Sequence, residues 1–297
     1  MDKLHKTITM RKKTFFRIAK DFKEYEKDVI PTEQMIRELE EERVDVFNFI
    51  ERKWSNATLA PDKTWVRTSD NIALLQITDY EEWLRKIGKK TRNMIRKAEK
   101  SGIVTAKAEP DGKLAEGIWR IYNETPIRQE RGFPYYGASL EVVRDVVLSS
   151  RDCTYIGAWL QDELVGLVQL VHGDDITIIS QILSLQKHWD KAINNALVAK
   201  TVEICASKNI RWLMYGRMGN HPTLDNFKQN NAFAQYTLTR YYIPLTKKGR
   251  IAIRLGLHKE MKDRLPQSLK YPLIPFYNWV SRCRMRIKLC LKPKTIM

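Results

Sequence analysis

The sequence predicts an α/β fold in which a mixed sheet is flanked by helices, and two observations carry that prediction. The first is a hairpin pattern, in which the apolar runs CTYIGAW (153–159) and LVGLVQLV (164–171) lie on either side of a short polar turn. The second is the alternation of strand-like runs with helical segments that follows. In chain order after the hairpin, we predict a strand at 175–183, a long helix at 190–207, a strand at 211–216, a short helix at 223–231 and a strand at 235–243.

The first half of the chain has weaker patterns. A helix is predicted from about Thr32 to Trp54, because Thr32 can cap it and Pro31 precedes the cap. The remaining predictions are a strand at 65–77, a helix from about 79 to 101 that Gly102 ends, a strand at 103–108, a helix at 114–124 and a helix at 139–149 that Ser139 caps.

One face of the predicted helix 79–101 is strongly basic. Its cationic residues form one stripe at 100° per residue, and they are Arg85, Lys89, Arg92, Arg96 and Lys100. Glu99 is the only acid from residue 85 to residue 107, whereas solvated helix faces usually alternate in sign. We therefore predict that this stripe, called the cationic ridge below, contacts phosphate groups, with a solvated face as the alternative.

The net charge of +17 is spread unevenly, with basic residues concentrated at 1–20, 85–107 and 247–297. Such a protein has negatively charged partners, and nucleic acid, anionic lipid and phosphorylated substrates all qualify. The four cysteines and five histidines show no metal-ligand spacing, so neither a metal nor a tightly bound cofactor is predicted. No signal peptide or membrane-spanning segment is predicted, which favours a cytoplasmic protein.

Three stretches resemble FemAB-like transferases, a branch of the acyl-CoA N-acyltransferase (GNAT) superfamily. TRNMIRKAEKSGI (91–103) resembles the segment ahead of their second acyltransferase-fold domain, IYNETPIRQERGFPYYG (121–137) their acceptor-side helix and loop, and DNFKQNNAF (225–233) their closing motif. The resemblance implies a GNAT-like fold, whose central sheet splits between its fourth and fifth strands. It also implies an acyl- or aminoacyltransferase, since FemAB-like enzymes transfer an amino acid from aminoacyl-tRNA to an amine of a peptidoglycan precursor.

The sequence departs from the family pattern in two places. Acetyltransferases of this fold have a glycine-containing loop whose amides hold the CoA pyrophosphate at a helix N-terminus. The corresponding stretch, SLQKHWDKAIN (184–194), has no glycine, which disfavours acetyl-CoA as the donor. In addition, residues 1–80 are too few for a complete first acyltransferase domain.

The turn-rich stretch at 125–137 supplies predicted acceptor-binding residues. Arg128 and Arg131 carry guanidinium groups that suit a carboxylate or phosphate, and they lie near Tyr135 and Tyr136. The alternative is a loop ordered by local salt bridges. Two further predicted substrate-binding residues open the long helix, where their amides could orient the donor carbonyl or simply form caps and buried hydrogen bonds: Asn194 and Asn195.

The short helix at 223–231 supplies the predicted catalytic residues. The resemblance implies that Lys228 stabilises the donor's phosphates or the oxyanion of a tetrahedral intermediate, and a solvated lysine is the alternative. Asp225 or His221 could accept a proton from the attacking amine, although Asp225 could equally compensate the helix dipole. The general base is left unassigned.

The C-terminal residues 247–297 form a basic extension. Drawn as a helix after Pro275, the segment 271–292 gathers apolar and aromatic residues on one arc, with basic residues along its edges. This pattern fits an amphipathic helix on an anionic membrane surface, and packing against the domain is the alternative.

Three regions are therefore predicted: a partial acyltransferase-like region (1–80), a GNAT/FemAB-like transferase domain (81–245) and the basic extension (246–297). The predicted activity is transfer of an acyl or aminoacyl group from aminoacyl-tRNA or acyl-CoA to an amine acceptor in cell-envelope or polysaccharide biosynthesis. The predicted acceptor is a phosphate-bearing or lipid-linked precursor. An acetyl-CoA-dependent N-acetyltransferase and a non-catalytic domain that binds nucleic acid or membrane are the alternatives. The predicted location is cytoplasmic, with peripheral contact at the inner face of the membrane left open.

Overall fold

The structure is a computed structural model of the 297-residue chain. It describes residues 8–13, 15–52, 59, 61–128, 131–150, 152–219 and 222–259. The chain divides into two compact units. Among the described residues, unit 1 contains the ranges 8–83, 171–178 and 205–259, and unit 2 contains the ranges 84–170 and 179–204.

Unit 1 is built on a mixed sheet with strand order β1-β2-β3-β12-β4-β11, beyond which lies the beginning of β10. Its strands are β1 (Ile8–Lys13), β2 (Phe16–Asp21), β3 (Val46–Glu51), β4 (Val66–Gln76), β10 (Ile176–Ser184), β11 (Trp212–Arg217) and β12 (Ala234–Pro244). Its helices are α1 (Glu33–Glu41), the first half of α2 (Tyr80–Lys86), α7 (Pro222–Asn230) and α8 (Lys247–Arg254). β2 runs parallel to β3 and β10 runs parallel to β11, whereas the other pairs in this unit are antiparallel.

The two faces of the unit 1 sheet are covered by different helices. On one face, Met35 and Leu39 of α1 pack against Phe47, Phe49 and Tyr241. On the other face, the buried residues of α8 join a second apolar cluster: Phe16, Ile18, Val46, Tyr242, Ala252 and Ile253. Because adjacent residues of a strand point to opposite faces, the alternation of β2 and β3 residues between these clusters places the sheet in the middle of a three-layer arrangement.

Unit 2 contains the strand order β10-β9-β8-β5 and the helices around it. Its elements are α3 (Lys89–Lys100), β5 (Val104–Ala108), α4 (Gly112–Asn123), β6 (Ile127–Arg128), β7 (Arg131–Gly132), α5 (Leu140–Ser149), β8 (Cys153–Leu160), β9 (Glu163–His172), a 3-10 helix (Gln186–Lys191) and α6 (Ile193–Ser207). The division between the units falls within α2, β9, β10 and α6.

The parallel ladder between β10 and β11 is short. It joins Ile176–Ile178 to Trp212–Met214 and ends there, although both strands continue. β10 and β11 are the fourth and fifth strands of the predicted acyltransferase order, counted from β5 through the meander β8–β10. The predicted split lies between these two strands, and the described ladder between them ends at the pair Ile178–Met214.

Most elements predicted for the second half of the chain are confirmed. Two helices predicted for the first half have the wrong bounds. The Thr32 cap is confirmed, because its side chain accepts a hydrogen bond from the Met35 amide. The helix nevertheless ends at Glu41 instead of Trp54. Arg43 takes a left-handed conformation (φ 56°), and the aromatic and β-branched run VFNFIE that follows forms the central strand β3.

The predicted helix 79–101 is two helices. α2 ends at Lys86, and Gly88 caps α3 with an extended backbone (φ −66°, ψ 159°). The buried apolar residues of α3 are Ile95 and Ala98. As a consequence, Arg85 lies in a different helix from the other four residues of the cationic ridge.

The described part of the chain contains no helix with the length and apolar character needed to cross a bilayer. The predicted amphipathic helix at 271–292 lies outside the described residues, as does His221. The three-region division made from the sequence remains a prediction.

Gly249 joins α8 to β3 at a contact that leaves no space for a side chain. A Cβ atom at this position would overlap the Asp45 carbonyl oxygen, which also accepts the Leu245 amide at 2.9 Å. We expect Gly249→Ala to lower the free energy of unfolding by about 1–3 kcal/mol, because backbone must move to admit the methyl group. Urea unfolding measures this change.

The matched control is Gly112→Ala at the start of α4, where the new Cβ would have an ordinary contact, 3.5 Å from the Arg144 side chain. This change should be neutral or stabilising by up to about 1 kcal/mol, since alanine favours the helix. Equal losses in both variants would contradict the described packing of α8.

Candidate functional site

The end of β11 is irregular in a way that fixes one arginine. Met214 pairs with Leu74 and Arg217 pairs with Ile72, so three steps along β11 match two steps along β4. Gly216 lies between them with φ +59°, a left-handed conformation that glycine adopts without strain. One inserted residue of this kind is a β-bulge, and bulges redirect the side chains that follow them.

Arg217 is held by a buried carboxylate. Its Nε lies 2.9 Å from Asp70 Oδ1, and its Nη2 donates to Asp70 Oδ2 at 3.1 Å. The Asp70 side chain is almost entirely buried, whereas that of Arg217 is 38% exposed. Burial alone would lower the pKa of Arg217, but the hydrogen bonds and charge of Asp70 raise it. The result is a fixed, permanently charged guanidinium whose outer side is open to solvent.

Asp70 belongs to a larger buried ion network. Arg240 donates to Asp70 Oδ2 through Nη2 at 2.8 Å and to both carboxylate oxygens of Glu24 at 2.8 and 2.9 Å. Asn48 Oδ1 accepts from Arg240 Nη1 at 3.0 Å, and the Tyr25 hydroxyl donates to Asp70 Oδ2 at 3.1 Å. Charges buried in this way persist only when each one is paired and hydrogen-bonded.

The protonation of Asp70 depends on its two arginine partners. Burial of its carboxyl group would raise the pKa of Asp70. The charge and hydrogen bonds of Arg240, followed by those of Arg217, outweigh that cost and hold the pKa below its usual value. The carboxylate form is therefore coupled to the folded state.

Lys228 is buried beneath the same strand end. Its side chain reaches the Arg217 carbonyl oxygen, to which Nζ donates at 2.6 Å, and its ammonium lies 4.9 Å from the centre of the Tyr215 ring. The residue is 2% exposed, and burial lowers the pKa of Lys228 despite the opposing charge of Asp225. This geometry favours a positioning role, in which Lys228 fixes the backbone of Arg217. Direct catalysis by Lys228 stays a prediction.

Asp225 orders the loop that leads from β11 to α7. Its Oδ2 accepts the Gly219 amide hydrogen at 2.9 Å, and Gly219 takes φ +87°. The carboxylate thus helps to hold the chain between Arg217 and the helix that carries Lys228. Its predicted role as a base stays a prediction, since one of its oxygens already has this backbone partner.

A second cluster in unit 2 is centred on Arg128. Its Nη1 donates to the Ser184 carbonyl oxygen at 2.8 Å, and its Nη2 donates to Ile121 O at 2.8 Å and to Glu124 Oε2 at 3.1 Å. The guanidinium carbon also lies 5.1 Å from the centre of the Phe133 ring. Most of the hydrogen-bonding capacity of Arg128 therefore goes to this chain's own acceptors, as in the salt-bridged alternative. Its predicted acceptor contact stays a prediction.

The Glu124 carboxylate accepts hydrogen bonds from two backbone amides that follow β10. Its Oε2 accepts from the Gln186 amide at 2.8 Å, and its Oε1 accepts from the Lys187 amide at 3.1 Å. These amides begin the 3-10 helix at 186–191, and an anion at such a position is stabilised by the local dipole. They lie in the stretch 184–194, where acetyltransferases of this fold hold the CoA pyrophosphate. In this chain an internal carboxylate fills part of that region.

The junction between the 3-10 helix and α6 differs from a glycine loop in one more respect. Ala192 takes a left-handed conformation (φ 54°), so its Cβ is present where a glycine would leave open space. Asn194 Oδ1 is buried and has no hydrogen-bond partner in the described part of the chain. Asn195 is half-buried, and its backbone N–H donates to the Ala192 carbonyl oxygen at 3.0 Å. The substrate roles of both asparagines stay predictions.

The predicted acceptor loop contains an aromatic cluster. The Tyr135 ring stacks on Tyr122 at 4.8 Å and lies 5.6 Å from Phe133. The Tyr122 hydroxyl donates to Gln181 Oε1 at 2.7 Å, which fixes the base of the stack. Tyr135 and Tyr136 are exposed, so a planar substrate group can reach them. The side chain of Arg131 lies outside the described residues.

The cationic ridge is only partly available for phosphate contacts. Arg92 is half-buried, and its Nη1 donates to the carbonyl oxygens of Leu84 (3.1 Å) and Ile87 at the end of α2. The other members of the ridge have exposed side chains, and these are Arg85, Lys89, Arg96 and Lys100. Phosphate binding by the ridge stays a prediction for these four residues.

Comparison with solved structures shows the fold. The chain is similar to the C-terminal domain (DUF2156) of an Agrobacterium fabrum protein assigned as a lysylphosphatidylglycerol synthetase, with a TM-score of 0.56, 11% identity and 84% of each chain covered. It is similar to L-PGS from Bacillus licheniformis, with a TM-score of 0.56, 13% identity and coverage of 85% of this chain and 86% of that one. FemX gives a TM-score of 0.56, 10% identity and coverage of 78% and 83%. The predicted FemAB-like, GNAT-type fold is confirmed.

Neither a protein-family model nor a curated protein sequence matches the chain. At 10–13% identity the similarities describe the fold alone, so the activity has to be argued from the residues of this chain.

The Asp70 network yields a prediction of pH-dependent stability. Asp70→Asn leaves two buried or half-buried arginines without their shared carboxylate, so we expect the free energy of unfolding at pH 7 to fall by about 3–5 kcal/mol. Because the pKa of Asp70 is lowered by folding, its contribution is present above about pH 4 and is lost as the pH falls through its folded-state pKa. The variant should therefore lose less stability than the wild type between about pH 5 and pH 3.

Urea unfolding at a series of pH values measures both effects. Asp145→Asn is the control, since Asp145 is exposed on α5 and should change stability by no more than about 0.5 kcal/mol. If Asp70→Asn behaves like this control at pH 7, the carboxylate does not hold the network together.

Proposed function

We propose that the chain is an acyltransferase that takes an aminoacyl group from aminoacyl-tRNA and delivers it to an amine on a phosphate-bearing precursor of the cell envelope. The fold is compatible with this activity, because the similar structures include FemX and two proteins named for lysylphosphatidylglycerol synthesis. The resemblance of residues 91–103, 121–137 and 225–233 to FemAB-like transferases supports the same reaction class. Fold and resemblance leave the donor open, and the choice of donor rests on this chain's own residues.

The observation that carries the choice of donor is the pair of hydrogen bonds between Glu124 and the amides of Gln186 and Lys187. A pyrophosphate bound through the same amides would have to displace the carboxylate, and the two anions would repel each other at close range. Glu124 is itself held by Arg128, so it is not free to swing away at no cost. The left-handed Ala192 further restricts a close approach to the backbone. These features favour a donor that is not held as CoA is held.

Arg217, considered by itself, is suited to bind an anionic group of a substrate. A guanidinium fixed by Asp70 can bind phosphate or carboxylate oxygens without losing side-chain freedom on binding. Phosphates occur in both the tRNA and the proposed acceptor, so the charge suits either substrate. The exposed residues of the cationic ridge supply further contacts to a polyanion. The affinity of the protein for that polyanion then falls as the salt concentration rises.

The reaction itself needs little from the protein beyond positioning. The amine nitrogen attacks the ester carbonyl carbon of the aminoacyl group and forms the new C–N bond. The bond to the ribose oxygen breaks, that oxygen leaves with a proton, and the amine loses one. An aminoacyl ester is already activated toward aminolysis, so holding the two substrates in contact supplies much of the acceleration.

The acetyl-CoA alternative is tested by calorimetric titration of the full chain. We expect acetyl-CoA to give no saturable heat at concentrations up to about 1 mM, the upper range of usual KM values. Bulk tRNA charged with radiolabelled amino acids should bind, and its label should move to an envelope-precursor fraction only when the protein is present. Micromolar binding of acetyl-CoA together with no transfer from charged tRNA would overturn the proposed donor.

Arg217→Gln is expected to lower kcat/KM for aminoacyl transfer by about 10–100-fold, because one charge-assisted contact to an anionic substrate is lost. The fold should be retained, since Asp70 keeps its hydrogen bonds to Arg240. Arg37→Gln on α1 is the control, since this arginine is highly exposed and its ion pair with Glu33 lies on the surface. A transfer rate in Arg217→Gln equal to that of the control would remove Arg217 from the site.

A further inference from the structure

A strongly basic surface lies around α8 in unit 1, and the proposed transfer reaction does not use it. α8 packs on the sheet through Ala252 and Ile253, which join Phe16 and Ile18 of β2 in one apolar cluster. The exposed residues of the helix and its C-cap are Lys247, Lys248, Arg250, Ile251, Arg254 and Leu255. Four of these six residues are basic and none is acidic.

The edge strand β1 extends the same surface. In the β1–β2 register Lys13 lies opposite Phe16 and Arg11 lies opposite Ile18, so both basic residues are on the side of the sheet that α8 covers. Lys13 Nζ also donates to the carbonyl oxygens of His258 (2.9 Å) and Lys259 (3.3 Å), which ties the strand to the chain after α8. The segments 8–13 and 247–259 together contain eight lysines and arginines and no acidic residue.

Exposed apolar side chains are interspersed with these cations. Ile251 and Leu255 are 53% and 62% exposed and lie one helical turn apart, so they share one side of α8. Phe15, at the turn between β1 and β2, is 45% exposed, and its ring centre lies 5.7 Å from that of Phe16. Phe16 belongs to the cluster that α8 covers, so the exposed aromatic ring belongs to the same part of unit 1.

The mixture of cations with aliphatic side chains distinguishes among possible partners. A nucleic acid uses the cations and gains from planar side chains that stack on bases, whereas isoleucine and leucine offer it nothing specific. At the surface of an anionic bilayer both kinds of residue contribute, because the cations contact lipid headgroups and the apolar side chains enter the acyl boundary. Residues 260–297, which follow directly, carry nine lysines and arginines against two acids. Their charge has the same sign as this surface, which disfavours them as its cover.

We propose that the exposed face of α8, together with Arg11 and the β1–β2 turn at Phe15, is a docking surface for an anionic lipid bilayer. The helix lies parallel to the membrane plane, with Ile251, Leu255 and Phe15 entering the interface and the basic residues contacting anionic headgroups. The proposal uses none of the residues assigned to the transfer reaction, so either proposal can fail without the other.

Co-sedimentation of the full chain with lipid vesicles tests the proposal. Vesicles with about 30% phosphatidylglycerol in phosphatidylcholine should bind the protein, and pure phosphatidylcholine should not. The variant Lys247→Gln/Lys248→Gln/Arg250→Gln/Arg254→Gln should weaken binding at least about tenfold, since each cation near an anionic surface contributes roughly a factor of five. Ile251→Ser/Leu255→Ser should also weaken vesicle binding several-fold while leaving tRNA binding unchanged, a result that a nucleic-acid surface would not give.

The charge-matched control is Lys63→Gln/Lys113→Gln/Arg144→Gln/Lys208→Gln, which removes four exposed cations that neither proposal uses. It should retain vesicle binding close to that of the wild type. Equal losses in the two quadruple variants would show that net charge alone drives binding, and unchanged binding in the α8 variants would place the contact elsewhere. A dimer in solution that Ile251→Ser/Leu255→Ser dissociates would assign the surface to a second copy of the chain. Each of these three results overturns the proposal.

Discussion

The carboxylate of Asp70 is shared by two arginines and a tyrosine, and much of unit 1 depends on this arrangement. Arg240 links it to Glu24 and Asn48, so strands β3, β4 and β12 are joined by side-chain hydrogen bonds as well as by their ladders. A buried carboxylate is costly unless its partners are fixed, and the same fixed partners leave Arg217 in one orientation. The network therefore couples the stability of the sheet to the placement of one exposed cation. Lys228 completes the arrangement by holding the Arg217 carbonyl.

A second internal anion separates this chain from acetyltransferases that share its fold. Glu124 accepts hydrogen bonds from two backbone amides at the start of the 3-10 helix. Arg128 donates hydrogen bonds to the Glu124 carboxylate and to the Ser184 carbonyl oxygen. Glu124 thus occupies backbone amides in the stretch that the resemblance matches to the CoA-binding loop of acetyltransferases. The proposed tRNA donor would instead be bound through exposed cations. Arg217 and the basic helix faces are placed on the surface, where a polyanion can reach them.

Local sequence signals predicted much of the secondary structure. Contacts between residues far apart in the sequence could not be predicted in this way. The caps at Thr32 and Ser139 act on neighbouring residues, and both were predictable from the sequence. The sequence predicts helix where β3 lies, because the charged run before it has helical composition and the left-handed turn at Arg43 carries no glycine signal. Arg217 and Asp70 are 147 residues apart, so their pairing leaves no local pattern. The contact of Glu124 with the backbone amides of Gln186 and Lys187 depends on tertiary structure, so it also leaves no local pattern.

The central claim is that Asp70 acts on substrate binding through Arg217, and a double-mutant cycle on the affinity for aminoacyl-tRNA tests it most directly. The cycle compares the wild type, Asp70→Asn, Arg217→Gln and the double variant, each at a temperature where it is folded. If Asp70 serves to hold Arg217, its replacement weakens binding in the wild type and has almost no further effect once Arg217 is gone. Additive losses, or no loss on replacing Arg217, would contradict the account.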